Sequence, residues 1–333
     1  MKYSVIIPVY NRPEELKELL LSLETQTFTD FEVIVVEDGS VKSSKTIAEF
    51  FSVSLPLKYY EKPNEGPGPS RNYGVARAEG EYVIILDSDV VLPPNYLHAI
   101  DDELKECPED IASFGGPDRS SRDFTPIQRA VSYAMTSFFT TGGIRGNSAA
   151  KLDKFFPRSF NMGVKRSVYN ELNGFAKMRF GEDMDFSYRI IEAGYKSRLF
   201  PSAWVYHKRR ANFRQFFKQV HNSGIARINL QYRHPDTLKP VHAMPAAFTV
   251  GVLLLLVVGF FWPWAWLPLG IYALLIFLDA LLVKREHPKV CGLAIVASFV
   301  QLFGYGSGFI RCWWQRKVLG HGEIEAFKNN FYK

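Results

Sequence analysis

The sequence predicts an α/β fold: a mostly parallel sheet with helices on both faces, followed by C-terminal transmembrane helices. Short apolar runs alternate with helix-periodic segments over residues 1–115, the pattern of a parallel sheet covered on both sides. Acidic and polar residues stand directly after these runs, where such sheets gather ligands beyond the carboxyl ends of their strands. Charge is also unevenly spread. Of 40 Lys/Arg and 34 Asp/Glu in 333 residues, only Asp279, Lys284, Arg285, Glu286 and Lys289 fall within 241–310, so one part reads as water-soluble and the other as lipid-embedded. An apolar share of 47% and a charged share of 22% exclude disorder, collagen and coiled coil.

Along the chain, Tyr3–Val9 reads as a buried strand, and Pro13, Glu14 and Glu15 suit the start of a helix. Leu16, Leu19, Leu20 and Leu23 form that helix's apolar face. Phe31–Val36 is a second strand, Lys45–Phe51 a short helix, and Leu57–Tyr60 a third strand. After the loop PNEGPGP come a helix near Ser70–Ala78 and a strand at Tyr82–Leu86. Residues 116–206 are less regular, with an amphipathic stretch from Asp183 to Ala193. The expected organisation is a soluble domain over 1–206 (halves 1–115 and 116–206), a basic juxtamembrane helical segment at 207–241, membrane segments within 242–310, and a basic cytoplasmic tail at 311–333.

Phe248–Phe261 holds eleven Leu, Val or Phe residues; at about −0.3 to −0.6 kcal/mol each, insertion gains roughly 3–7 kcal/mol. With flanks from about Ala243 it is long enough to span. Trp262, Trp264 and Trp266 suit the far interface, Leu267–Val283 returns, and Lys284, Arg285 and Lys289 mark the inside. For Val290–Ile310 the sequence favours a re-entrant or interfacial segment over a third span, because the tail's Arg and Lys would otherwise lie outside. Gly304 and Gly308 have the spacing of close helix contacts, and Asp279 is expected to be structural, with basic neighbours. Between His207 and Lys239, eight Lys/Arg face Asp236 alone, a stretch suited to anionic membrane lipids and not to nucleic acid. Cys107, Cys291 and Cys312 have no metal-ligand spacing and point to a reducing compartment. The start MKYSVIIPVYNRP lacks the apolar run and cleavage site of a secretory signal. The soluble part is therefore expected on the cytoplasmic side of the cytoplasmic (inner) membrane.

Asp87-Ser88-Asp89 follows the strand YVIIL. Carboxylates at i and i+2 of an extended segment project to one side and can share a hard divalent cation such as Mg²⁺ or Mn²⁺, although paired surface aspartates are common without one. Glu37-Asp38-Gly39-Ser40 is either a plain turn or a carboxylate set against a base or ribose. Gly181-Glu182-Asp183-Met184-Asp185 is read locally as ordinary helix-start acids.

Together SVIIPVYNR, EDGS, GPGPSRNYG, DSD, GEDMD and VYH, in this order, resemble the family 2 glycosyltransferases, inverting enzymes with a GT-A fold, over about residues 3–210. The apolar C-terminus matches their membrane-attached, non-processive members, and no QxxRW follows the basic stretch. The resemblance implies that Pro8, Tyr10 and Arg12 border the nucleotide base and that Asp38 accepts a hydrogen bond from it. It places Arg71, Asn72 and Ser88 beside the nucleotide, Asp87 on ribose or metal-bound water, and Asp89 on the metal, with Asp87 and His207 close by. Asp183 is the implied general base, with Glu182 and Asn161 on the acceptor side; the usual DDGS reads EDGS here, which leaves the part of Glu37 open. Asp38, Asp87, Asp89 and Asp183 are expected to converge on one cleft around Mn²⁺ or Mg²⁺. The implied reaction moves a sugar from a nucleotide-sugar donor, UDP by default, to a hydroxyl of a lipid-linked or cell-surface glycan. The alternatives are transfer to a polyprenyl phosphate and, more remotely, a non-catalytic nucleotide-sugar-binding membrane adaptor.

Overall fold

The computed structural model describes residues 1–119, 124–141, 155–178 and 180–323. These fall into two compact units, the first drawn from Met1–Arg119 and Ala149–His207, the second from Ser120–Ser148 and Lys208–Ile324.

In the first unit, β1 (Tyr3–Val9), α1 (Pro13–Glu24), β2 (Phe31–Asp38), α2 (Lys45–Phe51), β3 (Leu57–Lys62), α3 (Pro67–Val75) and β4 (Tyr82–Leu86) alternate as the sequence predicts. There follow β5 (Val90–Val91), α4 (Tyr96–Lys105), β6 (Ile111–Gly115) and β7 (Asp118–Arg119). Past α5 (Pro126–Thr136) and α6 (Phe138–Thr141) come β8 (Asn161–Lys165), α7 (Arg166–Glu171), α8 (Glu182–Glu192), β9 (Lys196–Leu199) and β10 (Val205–His207). The main sheet has seven strands in the order β3-β2-β1-β4-β8-β6-β9, with β1 to β4 mutually parallel and β8 antiparallel to β4 and β6. A second sheet of three strands runs β5-β10-β7.

Every residue of β1 is buried, because successive side chains enter different cores. Val5 and Ile7 pack with Leu16, Leu19 and Leu20 of α1, whereas Ile6 packs with Val75 of α3 and Phe186 and Ile190 of α8. The third helix starts earlier than its sequence suggests. Gly66, at φ +98°, turns the chain, and Pro67 is pre-set for the first helical position. β2 and β3 run on to Asp38 and Lys62, so Glu37 and Asp38 are strand residues, not part of the turn that follows.

In the second unit, α9 (Phe213–Arg233), α10 (Pro240–Phe261), α11 (Leu267–Leu278) and α12 (Pro288–Trp313) pack with α5 and α6. Three helical stretches, Pro240–Phe261, Pro263–Val283 and Pro288–Val318, are long and apolar enough to cross a membrane. The third, expected as re-entrant or interfacial, is one continuous stretch of 31 residues. The backbone explains why α9 and α12 lie so close. A Cβ at Gly308 would meet the His221 carbonyl oxygen at 1.9 Å, one at Gly224 the Tyr305 oxygen at 2.2 Å, and one at Gly304 Val220 at 2.3 Å. Two details differ from expectation. α5 belongs here and not with the rest of 116–206, because its buried Ala130, Val131 and Ala134 join the core that holds Ala294 and Ala297 of α12. Asp279 accepts a hydrogen bond from the Tyr133 hydroxyl at 2.7 Å, and among the described residues no basic side chain pairs with it; the basic Arg129 pairs with Glu286.

Candidate active site

The carboxyl end of β4 delivers Asp87, buried Ser88 and Asp89 into the space beyond the sheet. Strand register brings the third partner. β10 lies antiparallel to β5 with His207 opposite Val90, so a side chain 118 positions from Asp89 in sequence numbering becomes its neighbour, His207 Nε2 standing 3.4 Å from Asp89 Oδ1. One ligand atom from each of Asp87, Asp89 and His207 lies within 4.8 Å of the others. Phe160 stacks on the imidazole at 4.6 Å, and His207 Nδ1 is buried without a hydrogen-bond partner among the described residues. Two hard carboxylates and one imidazole suit a divalent cation such as Mn²⁺ or Mg²⁺.

Arg71, on α3, links this cluster to the start of α8. Its Nη2 donates to Asp87 Oδ1 at 2.7 Å and its Nη1 to Glu182 Oε1 at 3.0 Å. Burial works against the guanidinium cation, but Asp87 and Glu182 outweigh it and hold the Arg71 pKa above its ordinary value. Burial likewise pushes the Glu182 carboxyl up, against the pull of Arg71. Gly181, at φ +84°, lets the chain turn into α8, and Asp183 follows in the first turn. Asp183 Oδ1 accepts from the Met184 N–H at 2.8 Å, and its Oδ2 faces Arg158 Nη1 at 3.5 Å. Arg12, expected near the base, instead donates from Nη1 to Asp89 Oδ2.

Asp38 is not in this cluster. Its Oδ1 accepts from Lys62 Nζ and the Glu65 N–H, both at 2.9 Å, and its Oδ2 from the Gly66 N–H at 2.8 Å and Asn64 Nδ2 at 3.1 Å. Those four donors match the roughly four lone-pair sites of a carboxylate, so the expected bond to a base requires one of them to give way. Glu37 is buried and accepts from the Ser44 N–H at 2.6 Å, the Tyr59 hydroxyl at 2.7 Å and Ser40. Beside these two strand ends lies a cleft of roughly 500 Å³ whose lining includes Ser40, Ser43, Glu61 and Lys62.

Residues 4–172 match Glycosyl transferase family 2. The chain belongs to that family. Relatives include an uncharacterized glycosyltransferase of Rickettsia bellii, 42% identical over 26% of this chain and 13% of its own length. Another is the poly(ribitol-phosphate) β-N-acetylglucosaminyltransferase TarS of Staphylococcus aureus, 45% identical over 27% of this chain and 16% of its own length. The pre-mycofactocin glycosyltransferase of Mycobacterium tuberculosis is 27% identical over 75% of this chain and about half, 52%, of its own length. The fold is shared with the mannosyltransferase PcManGT from Pyrobaculum calidifontis, solved with GDP-Man and Mn²⁺ (17% identity, TM-score 0.59, 95% of this chain and 88% of that one). It is also shared with S. aureus TarS 1–349 solved with UDP-GlcNAc (19% identity, TM-score 0.51, 96% and 93%).

Among the positions that the family 2 resemblance selected, Asp87, Asp89 and His207 come together, and Arg71 joins Glu182 to them. Asn72 and Asn161 are engaged elsewhere. Asn72 Oδ1 accepts from the Tyr169 hydroxyl at 2.6 Å and the Phe175 N–H at 2.9 Å, which fixes the turn at Gly174. Asn161, buried in β8, accepts from the Tyr96 hydroxyl at 2.6 Å and donates to the Ala203 oxygen at 2.8 Å. Both amides satisfy backbone and phenol groups, and these bonds leave each side chain at least one N–H. Pro8 is buried in β1 opposite Val36, with Tyr10 in the loop beyond. Sequence reasoning missed Lys62 and Arg158 as partners of Asp38 and Asp183; a lysine ending the strand next to Asp38 was the available signal for the first.

Proposed function

We propose that this glycosyltransferase moves a sugar, with inversion, from a nucleoside-diphosphate sugar to a hydroxyl of a lipid-linked or other membrane-proximal glycan, using Mn²⁺ or Mg²⁺ at Asp87, Asp89 and His207. The observation that carries this reading is the meeting of those three side chains at the end of β4, with Glu182, the residue before Asp183 on α8, tied to them through Arg71. A bound divalent cation polarises the diphosphate oxygens and offsets the charge that develops on the leaving group.

Asp87 and Asp89 supply the hard oxygens, and Phe160 holds the His207 ring in place beside them. Asp183 takes the proton of the acceptor hydroxyl while its oxygen bonds to the anomeric carbon. The bond from that carbon to the diphosphate oxygen breaks on the opposite face, and its electron pair leaves with the nucleoside diphosphate. A positioned base of this kind contributes about 10²–10⁴-fold. The cleft beside Ser40, Ser43 and Lys62 is the place for the nucleobase. The UDP-GlcNAc and GDP-Man complexes of the fold neighbours support a nucleoside-diphosphate donor, and a UDP-sugar is the donor we favour. The three apolar helices, preceded by the basic residues from Lys208 to Lys239, support attachment at the cytoplasmic membrane face with anionic lipids beneath.

Purified full-length protein presented with UDP-, GDP- and dTDP-sugars tests the reading through release of nucleoside diphosphate. Metal-dependent release from one donor class, abolished by EDTA, is expected. Absence of release from all of them with either cation, even with a membrane-extracted acceptor fraction, would sink it.

A further inference from the structure

Each carboxylate of Asp87-Ser88-Asp89 shares an oxygen with an arginine, but the two arginines are held differently. Arg71 has a side chain only 3% exposed, stacks on Phe175 at 5.2 Å, and is tied to Glu182 as well as Asp87, so it cannot leave without stranding a buried charge. The Arg12 side chain is 36% exposed, and its hydrogen bond goes to Asp89 Oδ2, an oxygen of the candidate metal ligand itself. Its backbone is fixed, however. Asn11, at φ +53°, donates its N–H to the Ser40 hydroxyl at 2.8 Å and takes the Val41 and Lys42 N–H groups on Oδ1 at 2.8 and 2.9 Å. Ser40 lines the cleft beside β2 and β3. The backbone next to Arg12 is therefore anchored to a loop that lines the cleft, while the half-exposed Arg12 side chain reaches Asp89 in the cation cluster.

Charge decides what this arrangement does. The carboxylates of Asp87, Asp89, Glu182 and Asp183 are faced by Arg12, Arg71 and Arg158, which leaves little net charge to attract a free divalent cation. A guanidinium stays charged at any ordinary pH, so a dication arriving alone must share the Asp89 carboxylate with Arg12 or displace it, and in either case stands beside a positive charge that nothing new offsets. A nucleoside diphosphate removes that penalty, because its oxygens match the fork of the displaced guanidinium.

We infer that Arg12 is a resident counter-ion of the cation site: it neutralises Asp89 until a divalent cation enters together with a nucleoside diphosphate, and then transfers its hydrogen bonds from Asp89 to the diphosphate. The inference rests on the metal-dependent reading above, and it makes cation and nucleotide bind as a coupled pair.

Calorimetric titration of Mn²⁺ alone into nucleotide-free full-length protein tests it without any turnover. Arg12→Gln and Arg12→Met, the second keeping the apolar stem, should each bind Mn²⁺ about tenfold more tightly than wild type, the worth of one charge-assisted hydrogen bond. Arg12→Lys, which keeps the charge, should stay near wild type. Saturating UDP or GDP should raise Mn²⁺ affinity in the wild type and do so by a smaller factor in Arg12→Gln. Mn²⁺ binding to the Gln and Met variants that equals or falls below wild type overturns the counter-ion role and leaves the metal-dependent reading standing. Failure of every protein, wild type included, to bind Mn²⁺ with either nucleotide overturns both.

Discussion

At the end of β2, Glu37 and Asp38 are buried and fully hydrogen-bonded to their own surroundings, Asp38 to the loop Lys62–Gly66 and Glu37 to Ser40, Ser44 and Tyr59. At the end of β4, two strands away in the same sheet, Asp87 and Asp89 each keep oxygens turned toward His207 and one another while arginines share the rest. Both pairs are acids just beyond a parallel strand, so position alone does not separate a tether from a ligand. What separates them is the donor supply. The β2 acids meet backbone N–H groups and a lysine with 6% exposure, whereas the β4 acids meet a half-exposed arginine, Arg12, and a shared one, Arg71.

The sharpest test of the proposed chemistry is Asp183→Asn in the first turn of α8, which should lower kcat by about 10²–10⁴-fold with donor binding near wild type; full turnover in that variant removes Asp183 as the base. Asp89→Ala should reduce nucleoside diphosphate release about 10³-fold, the rate equivalent of several kcal/mol, and lower the melting temperature only slightly, since Arg12, the partner it leaves, is half-exposed and can be solvated. On the β2 side the signs reverse. Asp38→Asn should destabilise the fold by about 1–2 kcal/mol in chemical denaturation, because the amide accepts fewer of the four donors and leaves Lys62 with Glu65 as its remaining ion partner, and should alter donor binding only through the displaced loop. A variant that melts like wild type yet loses the donor would turn Asp38 from a tether into a base reader and collapse the contrast. The smallest effect belongs to Gly39→Ala. Gly39 sits at φ +66°, and a Cβ there would meet the Asn64 nitrogen at 2.7 Å; a loss of about 1–2 kcal/mol in thermal unfolding is expected.

Local signals sufficed where a strand is buried on both faces. Tyr3–Val9 and Tyr82–Leu86 are found at the bounds their apolar runs suggest. β8, β9 and β10 were not legible, because short runs such as Lys196–Leu199 become strands only by pairing with chain far away in sequence. The placement of α5 failed for a related reason: Ala130, Val131 and Ala134 look like any amphipathic face until the helix that covers them is known. Within the site, the resemblance located Asp87, Asp89 and His207, yet no spacing reveals that Arg12 reaches across 77 residues to Asp89 or that Asn72 and Asn161 are already hydrogen-bonded.

The fork of Arg71 has a consequence for how this protein must be dissected. Removing Glu182 leaves the whole guanidinium to Asp87, and removing Asp87 leaves it to Glu182, so each truncation re-aims the survivor. A double-mutant cycle across the two should therefore show coupling of about 0.5–3 kcal/mol, and an alanine scan that assigns each acid an independent worth will count the same arginine twice.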